Sequence, residues 1–106
     1  NPIPYQSIAY NGNRLSHYCA NQGKCFITRE ILDMDNIHCH HITPRKHGGK
    51  DDYGNLILIS ENVHILLHAK RSETIKKYLL LVKPTESQLA KINKYREFLN
   101  LEKIEM

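Results

Sequence analysis

Residues 37–68 read IHCHHITPRKHGGKDDYGNLILISENVHILLH, and the fold is decided there. Residues 37–42 are predicted as a strand. Residues 43–54 are predicted as loop, because Pro44, Gly48-Gly49, Asp51-Asp52 and Gly54 supply turn chemistry. Leu56-Ile57-Leu58-Ile59 is an apolar run of strand length. Ser60 is a natural N-cap with Glu61 in the first turn behind it, so a helix is expected to reach about Lys70. Strand, long loop, strand and helix in that order place the chain in the α+β class.

Outward from this centre the signals are weaker. Residues 1–13 carry Pro2, Pro4 and Asn11-Gly12 and are expected to be irregular and superficial. A short helix is predicted over residues 14–22 with Gly23 as its stop, followed by an extended piece over 24–28. Asp33, Asp35 and Asn36 mark a turn before the first strand. Beyond the central helix, Ser72 is expected to cap a helix over about residues 72–82, where Ile75, Tyr78, Leu79 and Val82 form an i, i+3, i+4, i+7 stripe. Lys83-Pro84 ends it. Thr85 and Gln88 make a capping-box pair for a last helix over about residues 86–100, with Leu89, Ile92, Tyr95 and Leu99 on its core face. A single domain over residues 14–106 is expected, built on a motif core at 37–70.

At 106 residues and 41% apolar content the chain can bury only a modest core. Its net charge of +4 is unevenly spread. Residues 1–36 carry three Lys/Arg against three acids, whereas residues 37–77 carry seven against four, a local balance of +3. A basic segment beside a candidate metal site favours a phosphate-bearing substrate. Three cysteines, Cys19, Cys25 and Cys39, form an odd set without repeated spacing. That speaks against a disulfide framework and for a reducing compartment, so a cytoplasmic setting is expected. No apolar run reaches membrane-spanning length and no stretch reads as a leader. The opening Asn1-Pro2-Ile3-Pro4 reads as a linker, and a piece of a longer protein is expected.

Six of the seven histidines fall between positions 38 and 68. His64 and His68, four apart on the predicted helix, project from one face about a turn apart, the spacing two imidazoles need to share a cation. A third ligand must come from elsewhere in the fold, and the end of the preceding strand, where His40 and His41 stand, is well placed. Neighbouring strand residues point to opposite faces, so one of the two is the ligand and the other is left to act as a general base near neutral pH. His38 shares a face with His40, which makes it a candidate to support a ligand from behind, but a structural role is the first reading. His17 and His47 are read as ordinary surface or loop histidines, and Asn55 by itself as a turn residue. A lone His pair at this spacing is a common accident; the ordered set carries the inference.

The ordered set resembles the HNH nucleases, also called the ββα-metal or His-Me finger family. The stretch Ile37-His38-Cys39-His40-His41-Ile42-Thr43-Pro44, then Gly48-Gly49-Lys50-Asp51, Asn55-Leu56, and finally His64 and His68 carries the resemblance. It is most similar to the HNH domain at the C-terminal end of group II intron reverse transcriptase/maturases, with Asn21-Gln22-Gly23-Lys24-Cys25 resembling the opening of that domain. The similarity covers roughly residues 18–70; the two C-terminal helices are not diagnostic. The fold it implies is a two-stranded antiparallel hairpin plus a metal-binding helix, flanked by further helices.

The resemblance implies that His40, His64 and His68 hold one divalent ion, that His41 is the general base, and that Asn55 orients this base and pins the loop. The implied reaction hydrolyses a DNA phosphodiester to a 3′ hydroxyl and a 5′ phosphate, nicking one strand in group II intron mobility. The implied partners are DNA, an upstream reverse transcriptase/maturase domain and intron RNA. Zn²⁺, Ni²⁺, Mn²⁺ and Mg²⁺ all suit three histidines with open positions. Arg45, Lys46, Lys50 and Arg71 are the candidate DNA contacts. Many relatives hold a structural zinc with two CxxC pairs. Here the second pair's positions are Ser60 and Val63, and Cys19 and Cys25 are too widely spaced, so no four-cysteine zinc site is expected. Cys39 is read as a small buried residue. The alternatives are a metal-stabilised nucleic-acid-binding module that does not cut, and a free-standing restriction- or phage-type HNH nuclease.

Overall fold

In the computed structural model, which describes residues 8–33 and 35–105, strands β1 (His38–His41) and β2 (Leu56–Ile59) pair antiparallel. The register sets His38 opposite Ile59, His40 opposite Ile57 and His41 opposite Leu56. All four β2 side chains are buried, as a run of Leu and Ile without polar alternation requires. Among the described residues the two strands are joined by four helices: α1 (Ile8–Ala20), α2 (Glu61–His68), α3 (Ser72–Val82) and α4 (Glu86–Phe98). The architecture is α+β, a ββα unit with helices packed around it. None of the helices is long and apolar enough to cross a membrane.

The core gathers Ile57, Leu58 and Ile59 of β2, Val63, Leu66 and Leu67 of α2, and Leu89, Ile92 and Tyr95 of α4. Cys25, Ile27 and Leu32 close it from the segment before β1. That segment makes a turn and one isolated bridge, Lys24 to Ile31, where an extended piece over 24–28 is predicted. Phe26 N–H donates to the Leu58 carbonyl at 2.9 Å, tying the segment to β2. The stripe Ile75, Tyr78, Leu79 and Val82 of α3 packs half-buried on the same core.

The helix signals act where the residues place them. The Ser60 hydroxyl accepts from Val63 N–H at 3.3 Å and caps α2, a bond of about 1 kcal/mol. Thr85 and Gln88 form both halves of the capping box of α4. Lys83, with φ 49°, stops α3 directly before Pro84. Two details differ. Arg71, not Ser72, occupies the N-cap position of α3 and makes no side-chain cap bond. The central helix ends at His68, two residues short of Lys70.

The larger correction concerns the N-terminal side. Helix α1 begins at Ile8 rather than Arg14 and runs straight through Asn11-Gly12; the expectation for residues 1–7 lies outside the described residues. A glycine in a helix costs about 1 kcal/mol. Three anchors offset it: Tyr10 is buried, Asn13 Nδ2 donates to the Asp51 carbonyl at 2.8 Å, and His17 Nε2 lies 2.8 Å from the Tyr53 carbonyl. Tertiary contact overrides the local turn signal.

Candidate functional site

The long loop between the strands contains two 3₁₀ turns, Arg45–His47 and Tyr53–Asn55, and is held shut by Asn55. The Asn55 side-chain oxygen accepts from Thr43 N–H at 2.8 Å. Its amide donates to the carbonyls of Thr43 at 3.1 Å and Lys50 at 2.8 Å. Gly49 lies so close to the Thr43 carbonyl that no Cβ fits there, which explains a glycine at this point of the loop. The backbone pairing continues beyond the strand, Ile42 N–H donating to Asn55 carbonyl at 2.8 Å. Asn55 therefore pins the loop through its backbone.

His40, His64 and His68 converge, with one donor nitrogen of each lying within 4.8 Å of the others. Among the described residues this is the one group of three or more His, Cys, Asp or Glu side chains so placed. Ring centroids are 5.3 Å apart for His40 and His64, 5.1 Å for His40 and His68, and 4.8 Å for His64 and His68. The antiparallel pairing with β2 brings the end of β1 over α2, and the helical repeat stacks the other two rings.

Burial, reinforced by the neighbouring imidazoles, pushes the His40 pKa down to about 3. Burial and the charges of His68 and His38 pull His64 down to about 4. His68 is lowered too, by burial first and then by the Arg96 guanidinium. All three are thus neutral at physiological pH, the state in which imidazole ligates metal. His40 Nε2 is fully buried without a hydrogen-bond partner. The nitrogen of His40 that faces the set is Nδ1, 3.3 Å from His68 Nε2, a separation that two ligands of one cation can adopt. Three nitrogen donors suit a borderline divalent ion.

His40 and His41 line one cleft with His64, His68, Cys39, Pro44, Arg45 and Leu99, because β1 ends at His41. His41 Nε2 lies 2.7 Å from Asp51 Oδ1, and its ring stacks on Tyr10 at 5.7 Å with an interplanar angle of 3°. The polar contact shown on the His41 ring thus comes from Asp51, whereas the Asn55 side chain bonds to loop backbone. Asp51 also receives Arg45 at 3.0 Å. Burial, with Cys39 beside it, pushes the Tyr10 hydroxyl up to about 12 against the pull of Arg14 and Arg45, so it stays protonated.

The basic candidates are scattered unequally. Arg45 stands at the cleft, while Lys46 and Lys50 are exposed on the loop. Arg71 sits beyond α2, its guanidinium 3.0 Å from Glu73. Arg14 of α1, from the charge-balanced part of the chain, lies 5.9 Å from the Tyr10 ring, which Arg45 also approaches at 5.4 Å. The Tyr10–Arg14 spacing of four would have flagged it only with α1 extended back past Gly12.

Of the other histidines, His17 departs from the expected surface position and His47 keeps it. His17 is buried and stacks on Tyr53 at 3.8 Å, joining α1 to the loop that carries Asp51. His38 Nδ1 lies 2.8 Å from His64 Nδ1. His47 is exposed. Cys25 is buried in the core beside Val63, and Cys39 is half-buried against Tyr10.

Arg96 of α4 is 2% exposed, an unexpected place for a charge. Its Nη1 donates to the carbonyls of Leu66 at 3.0 Å, Leu67 at 3.3 Å and Ala69 at 2.8 Å, while Nε donates to the Glu102 carbonyl at 2.8 Å. Those three carbonyls lie at the C-terminal end of α2, where only Leu66 also accepts locally, from Ala69 N–H at 3.4 Å, and a cation there is aligned with the helix dipole. The turn bearing His68 is held from outside by α4.

The sequence profile of the HNH endonuclease family matches residues 17–70, just over half of the chain, and takes in every one of the converging histidines. No curated protein and no solved structure matches the chain significantly.

Proposed function

Since this chain belongs to the HNH endonuclease family, we propose that it is a metal-dependent DNA endonuclease domain that nicks one strand to leave a 3′ hydroxyl and a 5′ phosphate. The observation that supports this most is three neutral imidazoles gathered within 4.8 Å, with a fourth, His41, on the same cleft but held by a carboxylate 2.7 Å away. A purely structural metal site has no use for that fourth ring.

His40, His64 and His68 would hold a divalent ion, whose contribution would be Lewis-acid stabilisation of the negative charge on the scissile phosphate. His41 Nε2 is committed to Asp51, so Nδ1 carries the lone pair that removes a proton from the attacking water. As the water oxygen bonds to phosphorus and the bond to the 3′ oxygen breaks, the imidazolium formed on His41 is stabilised by the Asp51 carboxylate. The 3′ oxygen takes its proton from solvent. Asn55 keeps the loop backbone, and with it Asp51, in place. Arg14 and Arg45, on either side of Tyr10, are suited to flanking phosphates.

The wider setting we propose is a group II intron protein, in which a reverse transcriptase would extend the 3′ hydroxyl. The HCHHI, GG-x-D and NL-I-L pieces in that order support it.

The test is nicking of supercoiled plasmid under EDTA or Mg²⁺, Mn²⁺, Ni²⁺ or Zn²⁺, for the parent and His41→Ala. Metal-dependent conversion to open circle should fall by roughly 10²–10⁴-fold in the variant, with metal binding retained. A variant that cuts as well as the parent refutes the role of His41. Binding without cleavage under any metal would favour a non-catalytic module.

A further inference from the structure

We infer that His38 is a positioning residue of the metal centre: it accepts the Nδ1 proton of His64 and thereby turns the His64 Nε2 lone pair toward the ion. The inference rests on the proposed role of His64 as a ligand. The two Nδ1 atoms lie 2.8 Å apart, and the rings meet edge to face with centroids 5.0 Å apart and planes at 71°.

Two nitrogens at that distance share one proton, so one must donate and the other accept. A neutral imidazole has one N–H and one lone pair. If His64 gave its Nδ1 lone pair to His38, its Nε2 would carry the proton, and the nitrogen left for the cluster with His40 and His68 could not ligate. The alternative assignment keeps a ligand nitrogen: His64 donates from Nδ1 and its Nε2 retains a lone pair. His38 accepts at Nδ1 and carries its own proton on Nε2.

A ligating histidine ordinarily donates its other N–H to a carboxylate, a backbone carbonyl or water, which fixes the tautomer and raises basicity. Here an imidazole takes that place. Strand geometry makes this possible. His38 and His40 are two apart in β1 and share a face, so one strand delivers both a ligand and the partner of another ligand. His64 is thereby gripped from both sides of its ring.

The test measures Co²⁺ affinity and the Co²⁺ d–d spectrum of the whole chain for the parent, His38→Val and His38→Asn. Long-range ¹H–¹⁵N spectra of the Zn²⁺-loaded proteins report the His64 tautomer. Val removes the acceptor; Asn places an oxygen close to where Nδ1 stood. Expected are affinity lower by roughly 10–100-fold in His38→Val, recovery in His38→Asn, an unchanged d–d band envelope, and an Nδ1-protonated His64 in the parent. Equal affinity in all three proteins would overturn the inference and leave the metal site standing. So would a changed d–d intensity in both variants without rescue by Asn, which would make His38 a ligand itself. A parent that binds neither Co²⁺ nor Zn²⁺ would overturn the metal reading of His64 and the inference together. Far-UV circular dichroism of each variant at the titration temperature separates lost affinity from lost fold.

Discussion

Replacing Arg96 by Met should loosen the end of α2 and cost the protein a large part of its stability. Met roughly conserves the length and volume of the side chain, so little cavity is opened. What disappears is four hydrogen bonds from a buried guanidinium, three of them to the carbonyls of Leu66, Leu67 and Ala69. A hydrogen bond to a charged group is worth about 1.5–3 kcal/mol singly. Four of them do not add, because the substitution also removes the desolvation cost of the guanidinium. A net loss of about 3 kcal/mol is expected, against a total of roughly 5–15 kcal/mol for a chain of this size. That corresponds to a fall in Tm on the order of 15 °C. Urea unfolding in EDTA, followed by far-UV circular dichroism, removes any metal contribution. The midpoint should drop without a change in slope. Arg96→Lys should fall between, since one ammonium cannot span the α2 carbonyls and Glu102. A loss below about 1 kcal/mol for Arg96→Met would refute the claim that α4 holds α2 through this side chain, because water would then serve the carbonyls equally well.

The chelated protein should lose stability as pH falls below 6.5, the ordinary histidine value. His40 and His64 are held near 3 and 4 when folded, so the unfolded chain takes up protons that the folded chain refuses. The loss approaches about 1.4 kcal/mol per pH unit for each group and vanishes above the ordinary value; identical urea midpoints at pH 5 and pH 7.5 would contradict it. Asn55→Asp keeps the acceptor for Thr43 N–H but turns an anionic oxygen toward the Thr43 and Lys50 carbonyls. It should destabilise by about 1–3 kcal/mol, and a Tm equal to that of the parent would show that Asn55 does not pin the loop. Gly49→Ala forces the loop away from the Thr43 carbonyl and should cost on the order of 2 kcal/mol by thermal melt. An unchanged melt would mean the loop relaxes freely.

The residues themselves determined the elements whose signals are local. Four consecutive apolar residues made β2, Ser60 and the Thr85–Gln88 box started two helices, and Lys83-Pro84 ended another. Helical spacing alone put His64 and His68 on one face, and the order strand, loop, strand, helix brought His40 to them. The strand run, the caps, the stop and the His64/His68 spacing depend on neighbours within a turn or a pleat, so a linear pattern carries them, whereas the approach of His40 also needs the two strands to pair.

What only the tertiary structure decided involves residues far apart in the chain. Nothing in the linear pattern marks Arg96 as a partner of α2, yet it is buried with its guanidinium on the C-terminal carbonyls of that helix, about thirty residues earlier. Asp51 reads as a turn residue, and it meets His41 only once the loop has folded back. His38 meets His64 across 26 residues. Asn11-Gly12 carries a turn signal that α1 overrides, since Tyr10, Asn13 and His17 find partners in β1 and the loop. Local propensity is worth about 1 kcal/mol per residue, and a few long-range hydrogen bonds and buried rings outweigh it. For that reason the His64 and His68 pair could be read from spacing, with either His40 or His41 to join it, while the side chains that contact these rings could not.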